Sequence, residues 1–215
     1  MSNVIARRPR RTTATRTVVT TTVVGVLAVA AALAGESAIA GSAGASLVST
    51  TTATSFGTPL GAADSDSQAV ELGSTFHVAV AGTVTGVTFD KSLVNGGTHT
   101  GTLWDSAGRK LATATFTGET ASGLQTVRFA TPVAVQAGKS YVVSYHTNVG
   151  HYYDDVNAFS GGKTIAAAST VETSGVYHYG VSSGFPSASW SGSNYFVSAL
   201  FTPAVVAPPV VMEDT

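Results

Sequence analysis

A segment rich in histidine and tyrosine is the first place where the side-chain types suggest ligand binding. Residues 146–155 carry two imidazoles, one carboxamide, two phenols and two carboxylates. Phenol rings present flat apolar faces and the other groups form hydrogen bonds, a combination that suits a sugar ring. The candidate ligand-binding residues in this segment are His146, Asn148, His151, Tyr152, Tyr153 and Asp154. The alternative is a polar loop whose side chains satisfy its own backbone.

A second region, residues 177–194, is unusually dense in aromatic side chains set between glycines and serines. Its candidate ligand-binding residues are Tyr177, Tyr179 and Trp190. Loops gather at the ends of a β-sandwich, so this region and residues 146–155 could line one surface. For Phe185 and Trp190 we favour the alternative that they cover an open end of the core.

Trp104 is the last candidate ligand-binding residue. Strand alternation places Leu103 and Trp104 on opposite faces, so one should enter the core and the other should lie outside. An outward Trp104 would be either a stacking platform or a cover for a neighbouring strand. His99 follows the turn residues Asn95-Gly96-Gly97 and is predicted to be a surface histidine.

Signals for catalysis and metal binding are weak. Cysteine is absent, which excludes a thiolate nucleophile and a thiolate metal site. No G-x-S-x-G elbow follows the N-terminal segment, and Asp105 and Glu119 merely border turns. The aspartate pairs 64/66 and 154/155 lack the fuller pattern of a calcium loop, and no helical histidine spacing suggests zinc. We therefore predict no catalytic residue, no bound metal and no cofactor.

Short runs of alternating apolar and polar residues must position these groups. Five such runs lie between residues 76 and 201, separated by glycine-containing turns. The fold class predicted is all-β, a single antiparallel β-sandwich of jelly-roll or immunoglobulin-like type, after an N-terminal apolar targeting helix. The predicted inward-facing residues are Phe76, Val78, Val87, Phe89, Leu103, Phe116, Val127, Phe129, Val143 and Val197.

The N-terminus has the pattern of an export signal. An arginine-rich region (1–17) precedes the apolar stretch 18–34 and the small residues Ser37-Ala38-Ile39-Ala40. Residues 1–40 are thus predicted to be a signal peptide, which makes the protein secreted. The alternative is an uncleaved membrane anchor with the domain outside, which would be the protein's sole membrane contact.

Composition divides the remaining chain into three parts. Residues 41–55 are predicted to be a Ser/Thr-rich flexible linker, 56–203 the β-sandwich domain and 204–215 a disordered tail. From residue 41 onward, six Lys and Arg face eleven Asp and Glu, a net charge of −5. That balance argues against nucleic acid as a partner.

Several blocks between residues 70 and 180 occur in a distinctive order. They include GTVTGVTF, GTHTGTLWD, LATATFTGETASG, YVVSYHTN and VYHYG. Residues 56–202 closely resemble the domain of unknown function 4082 family. The resemblance implies a secreted bacterial β-sandwich module of the kind often joined to immunoglobulin-like repeats or carbohydrate-active domains, without an established activity. Leu124, Asp90, Phe196 and Ser198 depart from the residues usual in that family.

The sequence therefore predicts a non-catalytic extracellular binding module, for carbohydrate or a cell-envelope polymer such as a glycan. The first alternative is a structural or adhesive spacer without a small ligand. The second is a hydrolase of unknown type.

Overall fold

The computed structural model of this chain describes residues 52–53, 59, 61–162, 165–166 and 170–204. The predicted signal peptide with its apolar helix lies outside the described residues. So do the predicted linker apart from Thr52 and Ala53, and the predicted tail apart from Ala204. In the part of the chain that is described, no helix is long and apolar enough to cross a membrane.

The described residues form an all-β structure. The strands are β1 (Thr52–Ala53), β2 (Val70–Val78), β3 (Gly82–Lys91), β4 (Thr100–Asp105), β5 (Lys110–Thr115), β6 (Gly123–Val135), β7 (Ser140–Thr147), β8 (Ile165–Ala166), β9 (Thr170–Tyr179) and β10 (Val197–Pro203). One short 3₁₀ turn, Ser160–Gly162, lies between β7 and β8. The all-β prediction is confirmed.

The strands pair into two antiparallel sheets. The first sheet has the order β1-β10-β3-β6 and the second has the order β5-β4-β7-β2-β9-β8. Thr52 and Ala53 pair with Phe201 and Leu200 of β10, so two residues of the predicted linker form strand instead.

Side chains from both sheets meet in one apolar core. All ten predicted inward-facing residues are buried in it, because alternation points every second side chain of each strand to the same face. Phe89 of the first sheet stacks on Tyr145 of the second at 3.9 Å between ring centroids, and Phe116 meets Phe89 edge-on at 5.0 Å. Two antiparallel sheets that share a core are consistent with a β-sandwich.

The two ends of the sheets differ in their connections. Tight turns at residues 79–81, 106–109 and 136–139 join strands at one end, which we call the turn end. Much longer segments lie at the opposite end: residues 61–69, 92–99, 116–122, 148–159 and 180–196. We call this the loop end. Because loops carry most binding residues on a rigid scaffold, the loop end is where a site is expected.

A carboxyl group is buried inside the domain. The pairing of β2 with β9 shifts between Thr75 and Phe76, which leaves Thr173 as a bulge and makes Glu172 the partner of Phe76. The Ser74 hydroxyl donates to Glu172 Oε2 at 2.5 Å. Burial raises the pKa of Glu172 well above 4.5, although the Ser74 and Ser198 hydroxyls oppose the shift. The buried group therefore favours its protonated form.

Phe89→Ala should destabilise the domain by about 3–5 kcal/mol, since it removes a ring that packs on residues of both sheets. Urea unfolding followed by circular dichroism measures the change. Leu124→Ala is the matched control: Leu124 is exposed on the neighbouring strand β6, opposite Asp90, and its truncation should change stability by less than about 0.5 kcal/mol. Equal effects of the two variants would contradict the assignment of Phe89 to the core.

Glu172→Gln should reduce the loss of stability as pH rises above the unfolded pKa near 4.5. The folded pKa is raised above the unfolded value near 4.5, so the stabilising contribution is complete below that pH and is lost as pH rises through the folded pKa. In thermal unfolding between about pH 4 and pH 8, Tm of the unchanged chain should fall more steeply than Tm of the variant. Parallel curves would show that Glu172 is not a buried acid.

Candidate functional site

Four tyrosines from separate segments meet at the loop end. Tyr152 follows β7, Tyr177 and Tyr179 end β9, and Tyr195 precedes β10. Their rings pack edge-to-face, with centroids 5.8 Å apart for Tyr152 and Tyr195, 5.5 Å for Tyr177 and Tyr179, and 6.5 Å for Tyr177 and Tyr195. This tyrosine cluster brings the two predicted aromatic regions together, as the loop argument from the sequence expected.

Asp66 fixes two of these phenols. The Tyr179 hydroxyl donates to Asp66 Oδ2 at 2.5 Å, and the Tyr152 hydroxyl donates to the same oxygen at 3.3 Å. The other carboxylate oxygen, Oδ1, accepts from the backbone N–H of Gln68 at 2.9 Å. One carboxylate therefore joins three segments of the chain.

The loop that carries Tyr152 is held by its backbone. His151 N–H donates to Asp66 O at 2.6 Å, and Asp64 N–H donates to Tyr152 O at 2.8 Å. Gly150 has φ 63°, and a Cβ there would lie 2.3 Å from Asp66 O. Glycine is needed at this position both for its backbone angle and for the close approach of residues 61–69.

The phenols of the cluster are held in their protonated form. Burial, together with the Asp66 carboxylate, raises the pKa of Tyr179 to about 12. Burial also raises the pKa of Tyr152 and of Tyr195 above the ordinary tyrosine value. At neutral pH these hydroxyls are therefore hydrogen-bond donors, which keeps the ring positions fixed.

Part of the cluster and its surroundings face solvent. Tyr179 is 45% exposed and Trp190 is 51% exposed, while Tyr177, Tyr153 and Asp154 are half-buried. Trp190 lies two residues beyond Ala188, whose backbone pairs with Tyr177. Other exposed large apolar side chains in or beside the loop-end segments are Leu93, Val94, Leu124, Val156 and Val181. We call the surface formed by Tyr153, Asp154, Tyr177, Tyr179 and Trp190 the loop-end surface.

The remaining candidate residues lie elsewhere or have other partners. Asn148 is exposed, and His151 Nδ1 lies 3.2 Å from Asp64 O. His146 is buried, with Nε2 2.9 Å from Gly180 O. Tyr152 is buried in the tyrosine cluster.

Trp104 lies on the face of its strand opposite to Leu103, as alternation predicted. It is only 4% exposed, because Phe185 packs on it edge-on at 5.7 Å and Lys110 Nζ lies 5.1 Å from its ring. Its indole N–H donates to Ser144 Oγ at 2.7 Å. In this arrangement the indole face is covered. The expectation that Phe185 and Trp190 cover an open end of the core was therefore wrong. Phe185 packs on Trp104 at the outer face of the second sheet, and Trp190 is exposed.

The prediction for His99 was wrong. His99 is fully buried, with Nδ1 2.9 Å from Glu119 and Nε2 3.0 Å from Asn95 Oδ1. Lys91 Nζ donates to Glu119 Oε2 at 2.8 Å. Burial raises the pKa of Glu119, but Lys91 and His99 outweigh it and hold the pKa below its ordinary value. These partners come from three segments, and no local pattern in the sequence joins them.

Two other features bear on chemistry. Within the described residues, no group of three or more His, Asp or Glu side chains is arranged to hold a metal ion. A shallow groove of about 440 Å³ lies between edge strands β5 and β6, lined by residues 111–113 and 129–134. It includes none of the ligand-binding residues predicted from the sequence.

Asp66→Ala should destabilise the protein by about 1–3 kcal/mol, since two phenols lose their shared acceptor. Asp66→Asn keeps a carbonyl oxygen that can accept both bonds and should cost less. Chemical unfolding of the two variants measures the difference. In a tyrosine-selective NMR titration the pKa of Tyr179 should fall from about 12 toward 10.0 in Asp66→Ala. An unchanged Tyr179 titration would refute the contact.

Comparison with known proteins places this architecture in a family. No curated protein and no solved structure matches the chain. The family described as "Domain of unknown function (DUF4082)" matches residues 57–197, which include the tyrosine cluster and strands β2 to β9. The resemblance found in the sequence blocks is thereby confirmed. This chain belongs to the DUF4082 family.

Proposed function

We propose that this protein is a non-catalytic extracellular module that binds carbohydrate, or a cell-envelope polymer of similar chemistry, at its loop-end surface. One observation carries the proposal. Two half-exposed aromatic rings, Tyr179 and Trp190, lie in or beside a tyrosine cluster in which two of the four hydroxyls donate to Asp66. Flat rings with polar groups beside them suit the alternating apolar and hydroxyl faces of a sugar.

The tyrosine cluster is organised before any ligand arrives. Tyr179 is fixed at its hydroxyl by Asp66 and at its ring by Tyr177. A ring held in this way loses little side-chain entropy on binding, so more of the contact energy appears as affinity. Trp190 supplies the larger exposed face.

Asp66 is a positioning residue in this proposal. Both of its carboxylate oxygens already accept hydrogen bonds from the protein. That engagement suits a support for aromatic rings better than an acid or base of a hydrolase, which needs a carboxyl directed at the substrate.

The proposed location and architecture follow from the sequence. An arginine-rich N-terminus followed by an apolar stretch supports export, with the uncleaved anchor as the alternative form. We also propose that the two sheets form a sandwich of the jelly-roll or immunoglobulin-like type. In either form, the loop end presents long connections of the kind that carry binding residues in sandwiches.

Binding to immobilised glycans and to purified cell-wall polysaccharide tests the proposal. The purified chain should bind at least one of these polymers saturably. Trp190→Ala should weaken binding by about tenfold, the equivalent of ~1.4 kcal/mol, because it removes the largest exposed ring. Tyr179→Phe keeps the ring but loses the bond to Asp66, and it should weaken binding by a smaller factor.

Leu124→Ala is the matched control, because Leu124 is an exposed apolar residue near the loop end but lies on the first sheet. Its affinity should equal that of the unchanged chain. Failure to bind any of the polymers would refute the proposal and favour a structural or adhesive spacer. Binding that survives in Trp190→Ala and Tyr179→Phe would place the site elsewhere.

A further inference from the structure

The segment between β9 and β10 crosses the outer face of the second sheet. We call residues 180–188 the strap. At its start, Gly180 O lies 2.9 Å from His146 Nε2 of β7. Farther along, Phe185 packs on Trp104 and lies beside Gly108 in the tight turn at the opposite end. The strap then returns, and Ala188 pairs with Tyr177 through the backbone.

Beneath the strap lies a set of polar side chains with an indole ring. Glu71 of β2 is the register partner of His146 on β7, so both side chains point to the outer face. Ser144 donates to Glu71 Oε1 at 2.5 Å and accepts from the Trp104 indole N–H at 2.7 Å. This set is separate from the loop-end surface and contributes nothing to the tyrosine cluster.

The strap covers the Glu71 carboxyl group but does not satisfy all of its hydrogen bonds. Glu71 is 0% exposed, yet its Oε2 has no hydrogen-bond partner. The Ser183 hydroxyl on the strap acts on Glu71 and lowers its pKa, but it is buried without the geometry of a hydrogen bond. Buried polar atoms without partners are rare, because each loses its hydration without gaining a hydrogen bond. The closed strap therefore leaves a polar site beneath it incompletely satisfied.

Burial also changes the protonation equilibrium of Glu71. Burial raises the pKa of Glu71, while the Ser144 and Ser183 hydroxyls and the charges of His146 and Lys110 oppose the shift. A ligand hydroxyl both donates and accepts hydrogen bonds, so it can satisfy Oε2 whether or not the carboxyl carries a proton.

The strap is anchored mainly at its ends. Among the described residues, none from Val181 to Ser187 forms a backbone hydrogen bond, whereas Gly180 and Ala188 both do. Between these anchors Phe185 packs on the cluster of Trp104, Val142 and Val176, and Gly184 approaches the His178 ring closely. Opening the strap therefore breaks side-chain packing, but between its two anchors it breaks no backbone–backbone hydrogen bond.

We propose that the outer face beneath the strap, formed by Glu71, Trp104, Ser144 and His146, is a second saccharide-binding site that the strap occupies in the free protein. The strap's own contacts indicate the ligand class. Phe185 covers the indole with an apolar ring, Gly180 O is an acceptor for His146, and Ser183 brings a hydroxyl toward Glu71.

A sugar chain supplies the same three features, and its hydroxyl can also complete the bonding of Glu71 Oε2. The choice of a saccharide rests on the proposed function, but the residues involved are different. Because only open molecules bind, the apparent affinity is lowered by the fraction that is closed. Weakening the strap should therefore tighten binding.

The experiment uses the full chain with Trp190→Ala, which removes the exposed ring of the loop-end surface and leaves Trp104 as the sole tryptophan. The probes are β-1,4-linked hexamers of glucose and of N-acetylglucosamine, with calorimetry as the readout. Adding Phe185→Ala should raise acrylamide quenching of Trp104 about threefold and tighten binding of one hexamer about fivefold, because the open fraction grows.

Further variants separate the site from a general loosening of the fold. Glu71→Ala in the Phe185→Ala protein should weaken the gained binding by about tenfold. Inserting two glycines after Val181 loosens the strap without removing a packed side chain, and it should have the same effect as Phe185→Ala. Val181→Ala is the matched control, since that side chain is 88% exposed on the strap and its removal should change neither quenching nor affinity.

Two results would overturn the inference: Trp104 staying equally protected in both loosened variants, or Trp104 becoming accessible without tighter binding of either hexamer. The proposed function fails separately. In the chain with an intact strap, its failure would be seen as no saturable binding of any polymer, or as an affinity that Trp190→Ala leaves unchanged.

Discussion

Burial of two apolar sheet faces against each other is the constraint on which the rest of this structure depends. Without cysteine, no disulfide limits the unfolded chain, so packing must hold the sheets together. The stacked rings of Phe89 and Tyr145 join the two sheets within that contact. With the strands fixed in this way, the long segments at one end can vary in conformation while their attachment points stay in place.

The polar groups of the interior follow the same logic. Glu172, Glu71 and the His99–Glu119–Lys91 group are each paired with side chains from other strands or loops. In a low-dielectric interior, such pairs are favourable only when the partners have good geometry. Apolar packing alone would tolerate several arrangements of the strands, and these polar pairs favour one of them. The tyrosine cluster on Asp66 extends this pattern to the surface, where it fixes aromatic rings instead of strands.

Local patterns in the sequence were enough for the strands and the core, because alternation of Phe76 and Val78, or of Val127 and Phe129, depends on neighbours two residues apart. They were also enough to bring residues 146–155 and 177–194 to one end. They failed for His99 and Glu119, whose contact joins residues 20 positions apart across two connections. Trp104 was correctly placed on the outer face, but its cover, Phe185, lies 81 positions farther along the chain. The contacts of Asp66 with the Tyr152 and Tyr179 hydroxyls join residues equally far apart in the chain, so no local pattern predicted them.

Strand direction sets how this domain is presented to its surroundings. β1 is antiparallel to β10, with Thr52 beside Phe201 and Ala53 beside Leu200, so the chain enters β1 from the turn end and leaves β10 toward the same end. Both points of attachment are thus on the side remote from Tyr179 and Trp190. A tether on either flank would hold the domain by its base, with the aromatic rings directed outward. Domains joined through these flanks, in tandem or to another protein, would leave the opposite pole sterically open.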